Sequence, residues 1–338
     1  MNPRLVGPTL MNPVLARSDG ATARLHYLSL VLYALGTTWI PEFGAQRTAR
    51  LLSRVFGTGH RVTVRLPLGF SLSIDLNDPY WTRCLFGRFH YEPELESLLT
   101  ALLRPGTCFI DCGASIGYWS LFAGMRLGSS GLVVAVEASS STFRELITNI
   151  ELNHLPVRAL QQALHRAGGG RVEFYKNFDR PAGAHISDAS LGDAGWSVEM
   201  GSDKRTVYEQ VETISLDEIM SRHCEGFQGS RVIVKLDVEG AEIAALQGAR
   251  FLLEKRPLVI YEDHARDTES QVTRFVMDDL SYEVFAMEER GLKHLQSLDE
   301  MRTIKKIPNW GYNFAACHRD SAFLPELRQQ CLSSQDSV

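Results

Sequence analysis

The sequence predicts an α/β protein whose central sheet is mostly parallel and carries helices on both faces. Three observations support this prediction. Strand-like and helix-like segments alternate from residue 107 onwards, which is typical of a parallel sheet with helical crossovers. The strand-like segments are short apolar runs, as expected for strands buried on both faces. A glycine-rich turn joins the first of these strands to its helix, as in sheets that bind a ligand at their carboxyl edge.

A hairpin and a helix come before the alternating region. Residues 61–76 alternate between apolar and polar side chains around a Pro-Leu-Gly turn, which predicts two antiparallel strands. Residues 94–103 carry leucines at helical spacing and are followed by Pro105-Gly106, which predicts a helix that ends there. Residues 1–60 are expected to form a separate helical extension, so the whole chain begins with a helical and hairpin extension.

The alternating region supplies the strands of the predicted sheet. No clear helix separates the last two strands, so we expect them to pair antiparallel. The strands are expected at 107–110, 132–136, 157–160, 232–236, 257–261, 283–287 and 312–317, and the helices at 117–127, 142–152, 241–253 and 270–280.

Residues 165–214 interrupt this alternation. They contain three consecutive glycines and two strand-like segments on either side of a long polar loop. Long loops inside a compact domain are more often functional than idle, so we expect this insertion to shape a binding pocket.

Net charge and cysteine content argue against several classes of protein. The chain has 35 Lys and Arg against 40 Asp and Glu, a net charge of −5, whereas nucleic-acid-binding proteins usually present a basic surface. Residues 1–61 hold seven Arg against one Asp and one Glu, a net charge of +5, and the remainder therefore carries −10. The six cysteines form no CxxC pair, so we expect free thiols in a reducing cytoplasm rather than a disulfide scaffold or zinc site.

The uncharged segment at residues 25–41 has three interpretations. Leu25, Leu28, Leu32 and Leu35 follow a helical spacing, but the run is marginal in length for a membrane span. A helix packed on the main domain or on a partner subunit is one interpretation. Peripheral membrane docking, assisted by the nearby arginines, is the second, and a true span is the third.

The strongest local signal is the sequence FIDCGASIGYWSLFA at residues 109–123. An apolar strand ends at Asp111, and Gly113 and Gly117 allow a close approach of the backbone before a helix begins. The first N–H groups of that helix suit a carboxylate or a phosphate. The next strand ends at Glu137, whose carboxylate is placed to accept two hydrogen bonds from ribose hydroxyls. The pattern therefore predicts a nucleoside-binding site.

The spacing of the glycines narrows the choice of nucleoside. Ser115 and Tyr118 stand where a dinucleotide fingerprint would have its second and third glycines, and the sequence contains no phosphate-binding P-loop. The remaining D-x-G-x-x-x-G pattern with a ribose acid is used by proteins that bind S-adenosylmethionine. Gln162 is a candidate for an adenine contact, although a plain surface glutamine is equally compatible with its position.

The sequence resembles the FkbM-type methyltransferases. The resemblance runs from about residue 91 to residue 317 and rests on YEPELESLL, DCGASIG, VVAVEAS, VETISLDEI, KLDVEGAE at 235–242 and RPLVIYED. It implies a class I methyltransferase (Rossmann-like) fold, in which a mostly parallel seven-stranded sheet with an antiparallel last strand forms a three-layer sandwich. It also implies S-adenosylmethionine as the methyl donor and O-methylation of a hydroxyl on a sugar, glycolipid or polyketide. Cys112 and Ala138-Ser139 depart from the usual family pattern without removing a group that the chemistry needs.

The resemblance suggests a division of the chain. Residues 61–320 are expected to form the methyltransferase domain, with 165–214 as an insertion on the acceptor side. Residues 1–60 are the N-terminal extension and residues 321–338 a short tail.

Methyl transfer to a neutral hydroxyl requires precise positioning and a group that accepts the hydroxyl proton. Asp237 ends a middle strand and is expected beside the methyl group, with Glu239 in the turn that follows. His264 comes just after the next strand and has the most suitable unperturbed pKa for a base. The assigned residues are Asp237, Glu239 and His264 for catalysis and Asp111, Gly113, Ser115, Gly117, Glu137, Gln162 and Asp237 for the cofactor.

Other readings of these and nearby residues remain open. Glu242 could face solvent on its helix, and Lys235 could pair with a buried acid. Residues 78–81, Asp-Pro-Tyr-Trp, are similar to a motif of amino methyltransferases but lack its second proline, so a turn explains them well. No His, Asp or Glu cluster with metal-ligand spacing is visible, and we expect no metal. The alternatives to O-methylation are a cofactor-binding module without catalysis and an amino methyltransferase.

Overall fold

The chain divides into two compact units. The first consists of Met1–Tyr91 with Glu151–His154, and the second of Glu92–Ile150 with Leu155–Val338. The domain limits expected from the sequence stay a prediction. The computed structural model describes residues 21, 24, 25, 27–29, 55, 60–78, 80–85, 91–177, 185–187, 206–263, 267, 269–288, 291–305 and 312–335.

The first unit contains an antiparallel hairpin. Strand β1 (Arg61–Arg65) pairs with β2 (Ser71–Asp75), which confirms the hairpin expected from the sequence. The inward side chains of both strands are buried and apolar, as the alternating pattern requires. Gly69 lies in the turn with a φ of 98°, in a region that side chains rarely adopt.

The segment after the hairpin is a capped turn. The carboxylate of Asp78 accepts hydrogen bonds from the backbone N–H groups of Tyr80 and Trp81, at 2.7 and 3.1 Å. A short 3-10 helix, Trp81–Leu85, follows directly. The aspartate therefore holds the start of a helical turn, as the turn interpretation of residues 78–81 expects.

Two sheets account for the strands of the second unit. The larger sheet has the order β13-β12-β14-β11-β10-β3-β4-β5, and the smaller one has the order β6-β9-β7-β8. The strands are β3 (Thr107–Cys112), β4 (Leu132–Val136), β5 (Val157–Leu160), β6 (Ala163–Leu164), β7 (Arg171–Asn177), β8 (His185–Ser187), β9 (Thr206–Ile214), β10 (Arg231–Leu236), β11 (Leu258–Glu262), β12 (Tyr282–Glu288), β13 (Gly291–Leu295) and β14 (Asn313–His318).

Helices connect the strands of the larger sheet. Most residues of the six inner strands are buried, as expected when helices cover both faces, whereas the edge strands β5 and β13 are partly exposed. The helices are α1 (Pro93–Leu102), α2 (Tyr118–Leu127), α3 (Ser140–Asn153), α4 (Leu216–His223), α5 (Glu242–Gln247), α6 (Arg250–Glu254), α7 (Gln271–Arg274), α8 (Leu298–Ile304) and α9 (Leu324–Gln335).

The larger sheet confirms the predicted fold and adds one strand to it. β3, β4, β5, β10 and β11 pair in parallel, and the last strand, β14, lies antiparallel between β11 and β12. This is the arrangement of a class I methyltransferase. The expected number of seven strands is too low for the described sheet, because β13 pairs antiparallel with β12 and forms the edge of the sheet. The β13 sequence, GLKHL, buries only Leu292 and Leu295, and its apolar pattern is too weak to be recognised.

Two predicted helices differ from the observed ones. The helix expected at 241–253 is divided into α5 and α6 at Gly248, where a Cβ atom would lie 2.7 Å from the carbonyl oxygen of His165. The backbone of another segment therefore passes too close for a regular helix with side chains. The helix expected at 270–280 is α7 followed by a π-turn at Phe275–Asp279.

The smaller sheet is formed by β6, directly before the insertion at 165–214, and by three strands of the insertion. β7 and β9 pair antiparallel over seven residue pairs, which confirms the two expected strands, and the short β6 and β8 add to them. Val172, Phe174 and Val211 bury one face of this sheet. Residues 188–205, in the expected long loop, lie outside the described residues.

The uncharged segment at 25–41 lies mostly outside the described residues. Residues 27–29 are helical, and Tyr27 is buried. Within the described part of the chain, no helix has the length and apolarity needed to cross a membrane. Packing on a domain or subunit and docking on a membrane surface both stay predictions for this segment.

Candidate active site at the carboxyl edge of the sheet

Three of the predicted acidic residues lie at the ends of neighbouring strands. Asp111 is the penultimate residue of β3, and Glu137 and Asp237 directly follow β4 and β10. The order β10-β3-β4 places these strands side by side, and all three run parallel. Their carboxyl ends therefore meet at one edge, where open α/β sheets bind ligands.

The turn after β3 is packed directly against β4 and β10. The N–H group of Gly113 donates to the carbonyl oxygen of Val136 at 2.9 Å. Gly113 has a φ of 79°, and a Cβ atom at this position would lie 1.8 Å from the carbonyl oxygen of Asp237. Only glycine both adopts this positive φ readily and leaves room for the carbonyl group of Asp237. Gly113 therefore allows β3 and β10 to end so close together.

A second glycine sets the position of α2. Gly117 has a φ of 98°, and a Cβ atom there would lie 2.7 Å from the Cδ1 atom of Leu146 on α3. The glycine therefore permits close packing of the start of α2 against α3. The N-terminal N–H groups of α2 consequently stay at the carboxyl edge of the sheet.

The carboxylate of Glu137 is oriented by backbone groups. Its Oε2 atom accepts a hydrogen bond from the N–H group of Ser115 at 3.0 Å, and its Oε1 atom accepts one from the N–H group of Ser139 at 2.8 Å. Glu137 is 8% exposed, so these bonds form in a mostly dry environment. A carboxylate oxygen has two acceptor sites, and the orientation of this one is fixed by the chain itself.

Asp111 carries an unsatisfied buried oxygen. Its Oδ2 atom accepts a hydrogen bond from the hydroxyl of Ser120 at 2.6 Å. Among the described residues, its Oδ1 atom has no hydrogen-bond partner. Burial raises the pKa of Asp111 above its ordinary value, while the nearby Lys235 opposes that shift. Since buried polar atoms are nearly always bonded, this atom indicates a partner that the described residues do not supply.

Lys235 is a buried cation among the acidic side chains of the site. Its Nζ atom lies 2.9 Å from Oδ2 of Asp237, and the residue is 4% exposed. Burial by itself would lower the pKa of Lys235, but Asp237, Asp111 and Glu92 together raise it well above its ordinary value. Lys235 is therefore a buried cation that three acidic side chains stabilise, which confirms its pairing with a nearby acid.

Glu92 belongs to this group and was not among the sequence candidates. It precedes α1, and its Oε2 atom accepts a hydrogen bond from the indole N–H of Trp119 at 2.7 Å. Burial raises the pKa of Glu92 to about 8, with Lys235 opposing and Asp237 adding to the shift. The only signal in the sequence was its place in the segment YEPELESLL, which the resemblance to the family already used.

The turn after β10 is held by Glu242. Its carboxylate accepts hydrogen bonds from the N–H groups of Val238 and Gly240, at 3.1 and 3.0 Å. Glu242 is 4% exposed, and burial raises its pKa to about 7. The interpretation of Glu242 as a solvent-facing side chain is therefore wrong. Glu239 lies in the same turn with a φ of 50°, a strained value for a residue with a side chain.

The end of β11 contributes a structural acid. Asp263 is 1% exposed, and its Oδ2 atom accepts hydrogen bonds from the N–H and hydroxyl groups of Thr273, at 3.1 and 2.7 Å. Its Oδ1 atom contacts the Nζ atom of Lys305. Both oxygens of this carboxylate thus connect β11 to later parts of the chain. His264, the predicted base that follows it, lies outside the described residues.

Gln162 lies at the adenine end of the expected site. It is half-buried and lies in the short connection between β5 and β6. The carbonyl oxygen of Leu160, the last residue of β5, accepts a hydrogen bond from the N–H group of Glu137 at 3.0 Å. The strand ends of β4 and β5 are therefore adjacent. The adenine contact of Gln162 stays a prediction.

The described residues contain no cluster of three or more His, Cys, Asp or Glu side chains that could hold a metal ion. All six cysteines are free thiols, as expected from the sequence. Five of them are buried, and Cys331 is partly exposed.

Comparisons with known proteins identify the family. Residues 111–314 match the family described as "Methyltransferase FkbM domain". Two curated relatives are ribosomal RNA large subunit methyltransferases E. The one from Chromohalobacter salexigens is 28% identical over 103 residues, 30% of this chain and 49% of the relative. The one from Sorangium cellulosum is 46% identical over 41 residues, 12% of this chain and 19% of the relative. The chain therefore spans about half the length of these relatives, or less.

A solved structure of an O-methyltransferase from Bacillus cereus is 10% identical, with a TM-score of 0.36 and coverage of 86% of this chain and 97% of the other. The fold is assigned from the strand order of the larger sheet and not from this similarity. The family match extends from the acid of the glycine-rich turn to β14 and covers more than half of the chain. S-Adenosylmethionine is the cofactor of such methyltransferases, and the chain belongs to the FkbM methyltransferase family.

Proposed function

We propose that the protein is an S-adenosylmethionine-dependent O-methyltransferase whose acceptor is a hydroxyl of a sugar, a glycolipid or a polyketide-type natural product. The observation that carries this proposal is the group of carboxylates at the ends of β10 and β11, next to the glycine-rich turn. A neutral hydroxyl needs a base as it attacks a methyl group, and the carboxylates gathered at this edge of the sheet are the candidates for it.

The residues of the edge fit the cofactor. S-Adenosylmethionine supplies an electrophilic methyl group on a positively charged sulfur. The Oδ1 atom of Asp111, which has no partner in the described part of the chain, can accept a hydrogen bond from a polar group of a ligand. The carboxylate of Glu137 is pre-oriented for two ribose hydroxyls. We assign binding of the cofactor to Asp111, Gly113, Ser115, Gly117, Glu137, Gln162 and Asp237.

We assign the reacting hydroxyl to the neighbourhood of Asp237, Glu239 and His264. The ion pair with Lys235 fixes the side chain of Asp237 beside the glycine-rich turn. Such fixed groups hold the hydroxyl in line with the bond to be broken, which is the main requirement of an in-line displacement.

One contact ties the insertion to the edge of the large sheet. Glu209 of β9 accepts a hydrogen bond from the N–H group of Ser140 at 3.0 Å, and Ser140 begins α3. Glu137 is three residues before Ser140 in the chain. The small sheet is thus anchored beside the residue assigned to the ribose, and we propose that residues 165–214 help to select the acceptor.

A radiolabelled donor tests the proposal. The protein is incubated with methyl-labelled S-adenosylmethionine and panels of sugars, glycolipids and polyketides that carry free hydroxyls. Transfer to at least one hydroxyl panel is expected. Calorimetric titration of S-adenosylmethionine and S-adenosylhomocysteine is carried out in parallel. Binding without transfer to any acceptor would favour a module without catalysis, and an absence of binding would contradict the proposal as a whole.

RNA is the second candidate acceptor. It is favoured by the two relatives, which are named as ribosomal RNA methyltransferases. The net charge of −10 carried by residues 62–338 opposes it, because phosphate contacts require cationic side chains. Labelled transfer to ribosomal RNA at moderate salt, with the sugar panels inactive, would favour this candidate. An amine panel covers the amino methyltransferase alternative.

A further inference from the structure

We propose that Glu92 is the general base that removes the proton from the acceptor hydroxyl. This inference rests on the proposed O-methylation and extends it by assigning the base to one carboxylate. Glu92 is not one of the residues that the sequence motifs single out. It also lies outside residues 111–314, the part of the chain that matches the family.

The position of Glu92 is set by one direct contact and by the anchoring of the helix that follows it. Trp119, at the start of α2, donates its indole N–H to Glu92. Two residues further along α1, Glu94 accepts a hydrogen bond from the side chain of Asn313 at 3.1 Å. Asn313 pairs with Glu262 across β14 and β11. The N-terminus of α1 is therefore held over the carboxyl ends of the strands that flank the reacting group.

The charged groups that face Glu92 come from two strands. Lys235 and Asp237 belong to the end of β10, and Glu262 to the end of β11. Glu137, assigned to the ribose, follows β4 on the other side of β3. The ends of β10 and β11 are thus the side of the sheet away from the ribose, where the acceptor must approach the methyl group.

Glu92 also has an oxygen that the chain leaves available. Its Oε2 atom is bound by Trp119, but Oε1 has no hydrogen-bond partner among the described residues. Lys235 holds the Oδ2 atom of Asp237 in an ion pair, and both oxygens of Asp263 are occupied. Of Glu92 and Asp263, Glu92 is the one whose contacts leave an oxygen for the substrate.

The backbone of Glu92 supports a functional role. It has a φ of 45° and stands at the N-cap position of α1, yet its side chain makes no capping hydrogen bond. Left-handed backbone costs a residue with a side chain about 1–2 kcal/mol. Since the carboxylate does not recover that cost by capping, the strain serves to direct it towards Trp119 and the strand ends.

The surroundings of Glu92 make its carboxylate a stronger base than usual. Burial raises its pKa to about 8, Lys235 opposes this shift, and Asp237 and Glu262 add to it. A base is most effective when its pKa lies near the working pH. The ionised carboxylate takes the proton as the new C–O bond forms and the methyl–sulfur bond breaks. The products are a methyl ether, a neutral thioether and a protonated Glu92, which then releases its proton to solvent.

Kinetics of Glu92→Gln give the first test. In the wild type, kcat/KM should rise with pH to a plateau, with its midpoint near 8. Glu92→Gln should lose this dependence and lower kcat by about a hundredfold or more. Glu96→Gln, on the first turn of the same helix, is the matched control and should leave both unchanged. Thermal unfolding of each variant checks that it is folded.

Titration of the protein without donor or acceptor gives a second test. The indole of Trp119 is bonded to Glu92, so tryptophan fluorescence should change with a midpoint near pH 8. Glu92→Gln and Trp119→Phe should both lose this transition. In Trp119→Phe the kinetic midpoint should move to higher pH, because the hydrogen bond from the indole lowers the pKa of Glu92.

The outcomes separate this inference from the proposed function. A wild type that methylates a hydroxyl, with Glu92→Gln equally active or with its pH dependence retained, would overturn the assignment of the base alone. A Glu92→Gln variant with normal kcat but weaker donor binding would also overturn it, since Glu92 would then hold the donor. A wild type that methylates no hydroxyl would overturn the proposed function and this inference together.

Discussion

The carboxyl edge of the large sheet has two halves that are built differently. In the donor half, at the ends of β3 and β4, the carboxylate of Glu137 accepts hydrogen bonds from two backbone N–H groups. One belongs to Ser139, two residues later in the chain, and the other to Ser115, in the turn after β3. In the acceptor half, at the ends of β10 and β11, Lys235 contacts Asp237, two residues further along the chain, and Asp111 and Glu92 from other elements also act on its charge. The donor half is held by backbone hydrogen bonds, and the acceptor half is a cluster of charges to which three separate segments contribute.

This difference explains why the two halves are unequally visible in the sequence. The donor half needs particular residues at fixed spacings, because glycines and an acid must match one turn. The acceptor half needs charges that balance in space, and many sequences satisfy that condition. The variants below test each half by the kind of interaction that holds it, beginning with the largest expected effect.

Replacing Gly113 with alanine should have the largest effect. The new Cβ atom would lie 1.8 Å from the carbonyl oxygen of Asp237, a backbone atom that has little freedom to move. We expect Gly113→Ala to lower the free energy of unfolding by about 4 kcal/mol or more. Urea denaturation followed by circular dichroism measures this change.

Gly106→Ala is the matched control for Gly113→Ala. Both glycines have a φ of 79°, but a Cβ atom at Gly106 would meet nothing within 4 Å. Its cost should be only the backbone strain of about 1–2 kcal/mol. Equal losses in the two variants would mean that the contact with Asp237 does not shape the donor half.

Replacing Glu137 with alanine should weaken the donor half without unfolding it. Loss of a charged acceptor for the ribose hydroxyls corresponds to about 1.5–3 kcal/mol, or roughly a tenfold to hundredfold rise in the Kd for S-adenosylmethionine. Calorimetric titration measures it, with Glu212→Ala on the insertion sheet as a control. An unchanged affinity in Glu137→Ala would argue against its ribose role.

Replacing Glu242 with glutamine should have a smaller, pH-dependent effect in the acceptor half. Burial raises the pKa of Glu242 from the ordinary 4.5 to about 7, so the folded protein keeps this proton longer than the unfolded chain does. Stability contributed by this group is therefore lost as the pH rises through that window, by at most about 1.4 kcal/mol per pH unit. In Glu242→Gln this part of the decline should disappear.

Urea denaturation between about pH 5 and pH 8 measures the effect of Glu242→Gln. Glu254→Gln is the control, because Glu254 is exposed and its replacement should leave the pH dependence of the unfolding free energy unchanged. A parallel decline in Glu242→Gln and the wild type would show that Glu242 is not buried as an acid in the turn.

The main features of the fold were predictable because each leaves a local pattern. Apolar runs alternating with helical spacing indicated the parallel sheet. The antiparallel pairing of the last strand is confirmed, but the expected absence of a helix before it is wrong, because α8 (Leu298–Ile304) lies between β13 and β14. The edge strand β13 was missed because an edge position needs few apolar residues. The break at Gly248 was missed because its cause is the carbonyl group of His165, a distant residue.

The site was predictable to a smaller extent. The positions of Asp111, Gly113 and Glu137 followed from one motif and the length of one strand–helix–strand unit. The place of Glu92 in the site could not be predicted from the sequence, because it depends on Trp119 and Lys235, which only the folded chain brings near it. Glu242 was misjudged because helical spacing alone does not show that the preceding turn bends back onto its carboxylate.

The most direct test of the account identifies the bond that the enzyme makes. The protein is supplied with S-adenosylmethionine carrying a carbon-13 methyl group and with the acceptor found in the labelled screen, and the product is examined by nuclear magnetic resonance. The account predicts that the labelled methyl carbon is bonded to an oxygen that was a hydroxyl group. A labelled methyl carbon bonded to nitrogen would contradict it.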